Sequence, residues 1–328
     1  MRQEMRRTSD WNIFIAMKKR RRIMTMAVLT VLLPLLLFLF YYLFQGRHYV
    51  VFGLLMLVCL MGALVVNFER RRPRAREIVL LATMTAFTVA SNELCAHTVP
   101  LHAGTALVVL SGIGLGPEAG FFIGALGRFL CNFFDGHGPW TPWQMFAWGL
   151  IGYLAGLFFN RIERRSRLEK QTLASRLSLQ KSQKCRAAGP VLCILASWLI
   201  GYVVFVLSGD NSESFFGWRI YVWGLAGMLV GGIFQRRRLP ADTITVTVYT
   251  FFSSALLYGG IMNFAAMLMS APPGSGVAVN LPVLRALYLT GLPYDLAHAG
   301  GAALCAFIFG DAILQRIERI RIKFGILL

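Results

Sequence analysis

The sequence predicts an all-α integral membrane protein with about ten transmembrane helices, and three observations carry that prediction. Of its 328 residues 56% are hydrophobic, and the mean hydropathy is +0.60, more apolar surface than a water-soluble globule can hide. The apolar residues gather in runs of about 17 to 25, the length that crosses a hydrocarbon core of roughly 30 Å as a helix. Between the runs sit short basic blocks: MRQEMRR and KKRRR near the start, ERRRPRARE at 69–77, RIERRSRLEK from 161, RRR at 236–238 and RIERIRIK at 316–323. No ten-residue alternation of the kind a transmembrane barrel needs is visible.

Each apolar run bounded by polar, Gly or Pro signals is one expected helix: 24–44, 50–67, 78–94, 103–116, 118–134, 143–160, 190–208, 217–235, 243–269 and 283–313. The first follows a basic block but is too long for a signal-peptide core and lacks a small-residue cleavage site, so it reads as a retained span. The fourth is short, which predicts a helix that tilts, breaks or lies buried in protein. With the amino terminus inside, every basic block falls on an inner loop. The outer loops 45–49, 95–102, 135–142, 209–216 and 270–282 then hold a single arginine, Arg47. The charge bias therefore predicts an even number of spans with both termini cytoplasmic.

The formal charge of +18 belongs to these headgroup-facing loops, a membrane-lipid pattern, and no nucleic-acid partner is expected. Six scattered cysteines without CxxC spacing predict neither a disulfide framework nor a zinc ribbon. No GxxxxGK[ST], HExxH or GxSxG run occurs, so the chain carries no recognisable ATP-hydrolysing, metalloprotease or serine-hydrolase motif.

Four stretches carry chemistry. Ala82, Ala86 and Ala90 form an AxxxAxxxA stripe, the small-residue pattern along which membrane helices approach closely. It serves either packing within the chain or docking to a separate subunit. Beyond it lie Asn92, Glu93, His97 and His102. Glu93 and His97 are four apart, a spacing that admits metal ligation or acid/base work. Pro100 interrupts any extension, and we read ligand contact there and no metal site.

The run GRFLCNFFDGHGPWTPWQMFAWG (127–149) is the most specific stretch. Arg128 and Asn132 fall in the outer half of a spanning helix, where a charge needs a cavity or a partner; pairing with Asp135 or a ligand anion is expected. Asp135, His137, Gln144 and the rings of Trp140, Trp143 and Trp148 surround two prolines. Flat apolar faces beside a few directional polar groups suit a small ring-containing ligand. In the last two helices Asn263 ends YGGIMN, and Asp295 and His298 stand three apart after Pro293. There is also an internal echo, WQMFAWGLIGYLAGLFFNR (143–161) against WRIYVWGLAGMLVGGIFQR (218–236), which we read as duplicated packing because the copy lacks the GPWTP approach.

Together AREIVLLATMTAFTVA, LGPEAGFFIGALGRFLCNFFDGHGPWTPWQMFAWGLIGYLAG, YGGIMNF and GLPYDLAHAGGAALCAFIFG resemble the substrate-capturing S component of energy-coupling factor (ECF) vitamin transporters. The resemblance implies a six-helix core, 78–160 (helices 1–4) and 243–313 (helices 5–6), with two additional helix pairs. The remaining segments are then 1–77, a basic amino terminus with the first extra pair; 161–189, a basic cytoplasmic loop; 190–242, the inserted pair; and 314–328, a basic cytoplasmic tail.

It implies further that the chain captures a vitamin or related micronutrient outside, in the bacterial cytoplasmic membrane, and works with a T component and two cytoplasmic ATP-binding subunits. The alanine stripe would meet the T component. Asn92, Glu93, His97, Arg128, Asn132, Asp135, His137, Trp140, Trp143, Gln144, Trp148, Asn263, Asp295 and His298 would line the substrate site. No reaction and no cofactor are expected. A flat heteroaromatic vitamin or a corrinoid precursor fits the aromatic lip. The alternatives are a membrane enzyme acting on a lipid or isoprenoid, and an ion-coupled secondary transporter.

Overall fold

The structure, a computed structural model, describes residues 61–62, 75–98, 102–159, 173–208, 214–234, 238–270 and 281–324, with side chains described in all of these except 97, 98 and 173–187. Its elements are α1 Ala75–Thr98, α2 Ala103–Leu115, α3 Pro117–Asp135, α4 Thr141–Phe158, α5 Leu173–Leu207, α6 Trp218–Phe234, α7 Thr243–Phe252, a π-helical turn Ser253–Tyr258, α8 Gly259–Ser270 and α9 Leu281–Phe324. Among the described residues there is no strand, only one isolated bridge between Phe159 and Leu239. The protein is an all-α, multi-pass membrane protein. Among the described residues Ala75–Ala96, Ala188–Leu207, Thr243–Ser270 and Leu281–Phe324 are long and apolar enough to cross a membrane. The expected spans at 24–44 and 50–67 lie outside the described residues, apart from two helical positions at 61 and 62.

The short helix α2 lies at the centre. Every residue from Gly104 to Leu115 is buried, so its length need not match the bilayer: the lipid is replaced by α1, α3, α4 and α9 packed around it. Gly116, at φ 101°, makes the tight link to α3, a left-handed conformation that glycine adopts without a Cβ penalty. Pro117 then opens α3, where its missing N–H is no loss. Glycine also sets the α3–α4 crossing: a Cβ on Gly124 would lie 2.6 Å from the Trp148 carbonyl. That is the close backbone approach that drives helix association in a membrane.

Helix α1 presents two opposite faces. Leu80, Met84, Thr88 and Asn92 are buried, a ridge of every fourth residue against the bundle. Ala82, Ala86 and Ala90 are exposed. A step of two residues turns an α-helix by about 200°, so the alanine stripe points directly away from the core, beside exposed Ile78, Val79 and Phe87. Packing within the described bundle does not account for it.

Two boundaries differ from the sequence reading. The basic segment 161–189 is helical from Leu173 onward and runs unbroken through Pro190 to Leu207. The last helix continues to Phe324, because RIERIRIK has no breaker and its Arg and Lys complement a helix carboxyl end. The echo between 143–161 and 218–236 is an echo of packing: a Cβ at Gly156 would collide with Pro117 of α3, and one at Gly231 would lie 3.0 Å from Pro190 of α5. Each Trp/Gly helix thus rests on the proline-bearing turn of the helix before it.

Candidate functional site

Candidate residues from distant parts of the sequence converge at the amino-terminal end of α4. On α3, Arg128 Nη2 donates to Asp135 Oδ2 at 2.8 Å, and Arg128 Nε donates to Gln144 Oε1 of α4 at 3.2 Å. Asn132 Nδ2 donates to the same Gln144 oxygen at 2.8 Å and lies 3.1 Å from Thr141 Oγ1. The expected Arg128–Asp135 pair forms because positions 128 and 135 are seven apart, two helical turns, on one face. The guanidinium also lies 5.5 Å from the Trp148 ring centre, a cation–π distance.

Trp148 itself is 1% exposed and its six-membered ring touches the site of Gly104 at the start of α2, next to Asn92. Asn92 Nδ2 donates to Glu93 Oε1 at 3.2 Å and approaches Cys131 Sγ at 3.7 Å. Asn92, Arg128, Asn132, Gln144 and Trp148 therefore form one connected polar and aromatic group. The exposed rim holds Asp135, His137 and Trp140; His137 packs on Phe133 at 4.7 Å and Phe129 at 5.1 Å. Trp143 is buried instead, edge-on to Phe264 of α8 at 6.1 Å. His97 lies at the end of α1, where side chains are not described.

The second group hangs on the break in the 243–270 helix. The π turn at Ser253–Tyr258 adds a residue to the helical path, a feature frequent at functional sites, and it aims Tyr258 at His298, with ring centres 4.8 Å apart. His298 Nε2 is 3.0 Å from Thr105 Oγ1, and its ring stacks on His102 at 3.9 Å and 13°. Burial, and secondarily the Arg128 charge, hold the His102 imidazole below its ordinary value. Asp295 does not pair with His298: its Oδ2 accepts from Asn263 Nδ2 at 2.7 Å and from the Tyr221 hydroxyl.

Two glycines make room for this arrangement. A Cβ on Gly259 would stand 2.5 Å from the Asp295 carboxyl, and one on Gly291 would collide with Asn263 Oδ1.

Asn132 Oδ1, Trp148 Nε1 and His298 Nδ1 are buried and have no hydrogen-bond partner among the described residues. Their residues are 0%, 1% and 4% exposed. An unmade buried hydrogen bond costs on the order of 1–3 kcal/mol, so three of them, from α3, α4 and α9, mark a place built to be satisfied by something else. At the opposite end of α4 there is a cavity of about 460 Å³ between α5, α6 and α7, lined by apolar groups such as Pro190, Ile194, Met228, Val248 and Phe252. None of the candidate residues borders it.

The sequence reading missed Tyr221, Tyr258 and Thr105, and noted His102 without choosing it. Tyr258 immediately precedes the GG of the quoted YGGIMN run, but a π turn leaves no composition signature. Tyr221 occupies the echo position of Phe146; the extra hydroxyl in the copy was the readable signal.

Residues 73–180 match the family described as ECF-type riboflavin transporter, S component. The resemblance to an ECF S component is borne out over this segment. It covers α1 to α4, the helices that carry the alanine stripe and the Arg128–Gln144 group. A UPF0397 protein of Lacticaseibacillus casei (strain BL23) is 50% identical over 46 residues, which is 14% of this chain and 24% of that relative; the chain thus matches about a quarter of the relative's length. No solved structure matches.

Proposed function

We propose that this chain is the substrate-binding membrane subunit of an ECF-type importer and that it captures a flavin-like vitamin, riboflavin or a near relative. The observation that carries the reading is the set of unpartnered buried atoms, Asn132 Oδ1, Trp148 Nε1 and His298 Nδ1, beside aromatic faces at one end of a bundle whose first four helices match a riboflavin S component. An acceptor, a donor and an imidazole nitrogen that can be either are what a heteroaromatic ring edge with neighbouring N–H and C=O groups requires.

In this reading the substrate enters at the end bearing Trp140 and His137, which faces outward, with both termini in the cytoplasm of a bacterial cell. Arg128, aimed by Asp135 and Gln144, orients the polar part of the ligand, and Trp148, Tyr258 and the His102–His298 stack wall the ring. Asn92, Glu93, His97, Trp143, Asn263 and Asp295 complete the surround. No bond is made or broken, so binding and release are the whole chemistry of this subunit. Work comes from partners: the outward alanine stripe of α1 docks a T component, which couples to two ATP-binding subunits. The extra pair α5–α6 accompanies the core helices.

Titration of the purified full chain with riboflavin, followed by quenching of flavin fluorescence, tests the reading. Saturable binding at one ligand per chain is expected, together with co-purification of the T component. Absence of saturable binding to riboflavin would overturn the proposed ligand, and uptake that persists without the ATP-binding subunits would overturn the proposed partnership.

A further inference from the structure

The carboxyl group of Asp295 sits within a membrane span, 6% exposed, and among the described residues no basic side chain pairs with it. Ionisable groups at such depth are expensive and mark function. Its two donors, Tyr221 Oη and Asn263 Nδ2, both bind the same oxygen, Oδ2, so Oδ1 makes no hydrogen bond to the described residues. Oδ1 is likewise not among the buried atoms without a partner.

What fixes this asymmetry comes from outside the helices matched to the S component. Tyr221 belongs to α6, is 2% exposed and lies against Tyr288 of α9 with ring centres 4.7 Å apart. Helix α6 is in turn clamped to α5 by Trp198 Nε1 donating to the Ile220 carbonyl at 2.8 Å and Ser197 Oγ donating to the Trp223 carbonyl at 2.7 Å. A Cβ on Gly224 would lie 2.7 Å from Leu256 of the π turn, so α6 also abuts the turn that aims Tyr258.

We infer that the α5–α6 pair is a wall of the ligand site, and that Tyr221 is a positioning residue that turns Asp295 so that Oδ1 is offered as a hydrogen-bond acceptor to a hydroxyl or N–H group of the ligand. This deepens the substrate-binding reading and rests on it. The inserted pair is then a specificity element: a ligand that presents only acceptors at this point leaves a buried carboxylate oxygen unpaired and is rejected.

The test is a double-mutant cycle on the full chain with riboflavin as the probe. Asp295→Asn should weaken binding by about tenfold, since it can place an amide N–H where the ligand's donor needs an acceptor. Tyr221→Phe should weaken it by about three- to tenfold, yet by less than about twofold when Asn already stands at 295, because the two act through one atom. Ile233→Ala, at an exposed position of α6 twelve residues beyond Tyr221, should keep the affinity. Additive losses, or unchanged affinity in Tyr221→Phe, would overturn the inference and leave the substrate-binding reading standing.

If the wild-type chain binds no riboflavin, the ligand reading falls and a membrane-permeant carbodiimide decides this inference separately. Modification of Asp295, read by peptide mass spectrometry and reduced or redirected in Tyr221→Phe, upholds an open carboxyl set by Tyr221. An unmodified Asp295, or labelling indifferent to Tyr221→Phe, refutes it.

Discussion

Gln144 Oε1 is the common acceptor of Arg128 and Asn132, 3.2 Å from the Nε of one and 2.8 Å from the Nδ2 of the other. A single amide oxygen on α4 thus fixes two side chains a turn apart on α3. Replacing it by the near-isosteric Leu removes the acceptor for both, and Arg128, 13% exposed, has no other acceptor for Nε among the described residues. Gln144→Leu should lower the stability of the purified protein by roughly 1–3 kcal/mol. Asp135→Asn should cost less than about 1 kcal/mol, because Asp135 is 34% exposed and solvent-screened ion pairs contribute little. Thermal unfolding in detergent measures both, and the reverse order would place the weight of the cluster on the ion pair.

On the proposed function, the alanine stripe separates binding from transport. Since Ala82, Ala86 and Ala90 face away from the buried ridge of α1, a bulky side chain there meets no neighbour in the described bundle. Ala86→Leu should leave ligand affinity within about twofold of the wild type, as surface substitutions away from special features do. It should abolish uptake by preventing close approach of the T component. Loss of affinity, or wild-type uptake, would show that the stripe is not a docking face.

Neighbouring glycines at the head of α8 give a matched pair. A Cβ at 259 would stand 2.5 Å from the Asp295 carboxyl, whereas one at 260 would meet only Leu225 and Tyr221 at 3.7 Å, an ordinary contact. Gly259→Ala should displace Asp295 and weaken riboflavin binding by about tenfold, the scale of an overpacking cost of 1–3 kcal/mol. Gly260→Ala should be near neutral. Fluorescence titration of the two variants reads the difference, and equal effects would mean that Asp295 adjusts freely.

Those contrasts also show what was legible in the sequence. Membrane class, the main helices of the described region and the Arg128–Asp135 partnership followed from hydropathy, from charge placement and from a seven-residue spacing on one helix, all local properties of the chain. The opposition of Ala86 to Met84 and Thr88 was likewise implicit in the 3.6-residue period, but which face met the core depended on tertiary packing. Tyr258 was not legible, because its direction comes from a π turn that shifts the helical register without any Pro or unusual residue. Tyr221 was not legible for a different reason: its partner Asp295 is 74 residues away, and pattern reading along one chain carries no information about such contacts beyond a hydroxyl where the echo has Phe146.

His102 supplies a pH prediction. It stands before α2, stacked on His298 at 3.9 Å, and burial first, with the Arg128 charge second, holds its imidazole below the ordinary value, which is about 6.5. Below that ordinary value the unfolded chain takes up a proton that the native chain refuses until more acid conditions. Stability from this group is therefore complete above about pH 6.5 and is lost progressively as the pH falls towards the lowered native value. The contribution is isolated by comparing wild type with His102→Gln, which keeps a polar planar group but does not titrate. Melting temperatures of the two should run parallel between pH 7 and 8, and below about pH 6.5 the wild type should fall more steeply. Parallel curves down to pH 5 would show that the His102–His298 stack accepts a proton without penalty, and that the imidazole is not the neutral wall of the site that the packing implies.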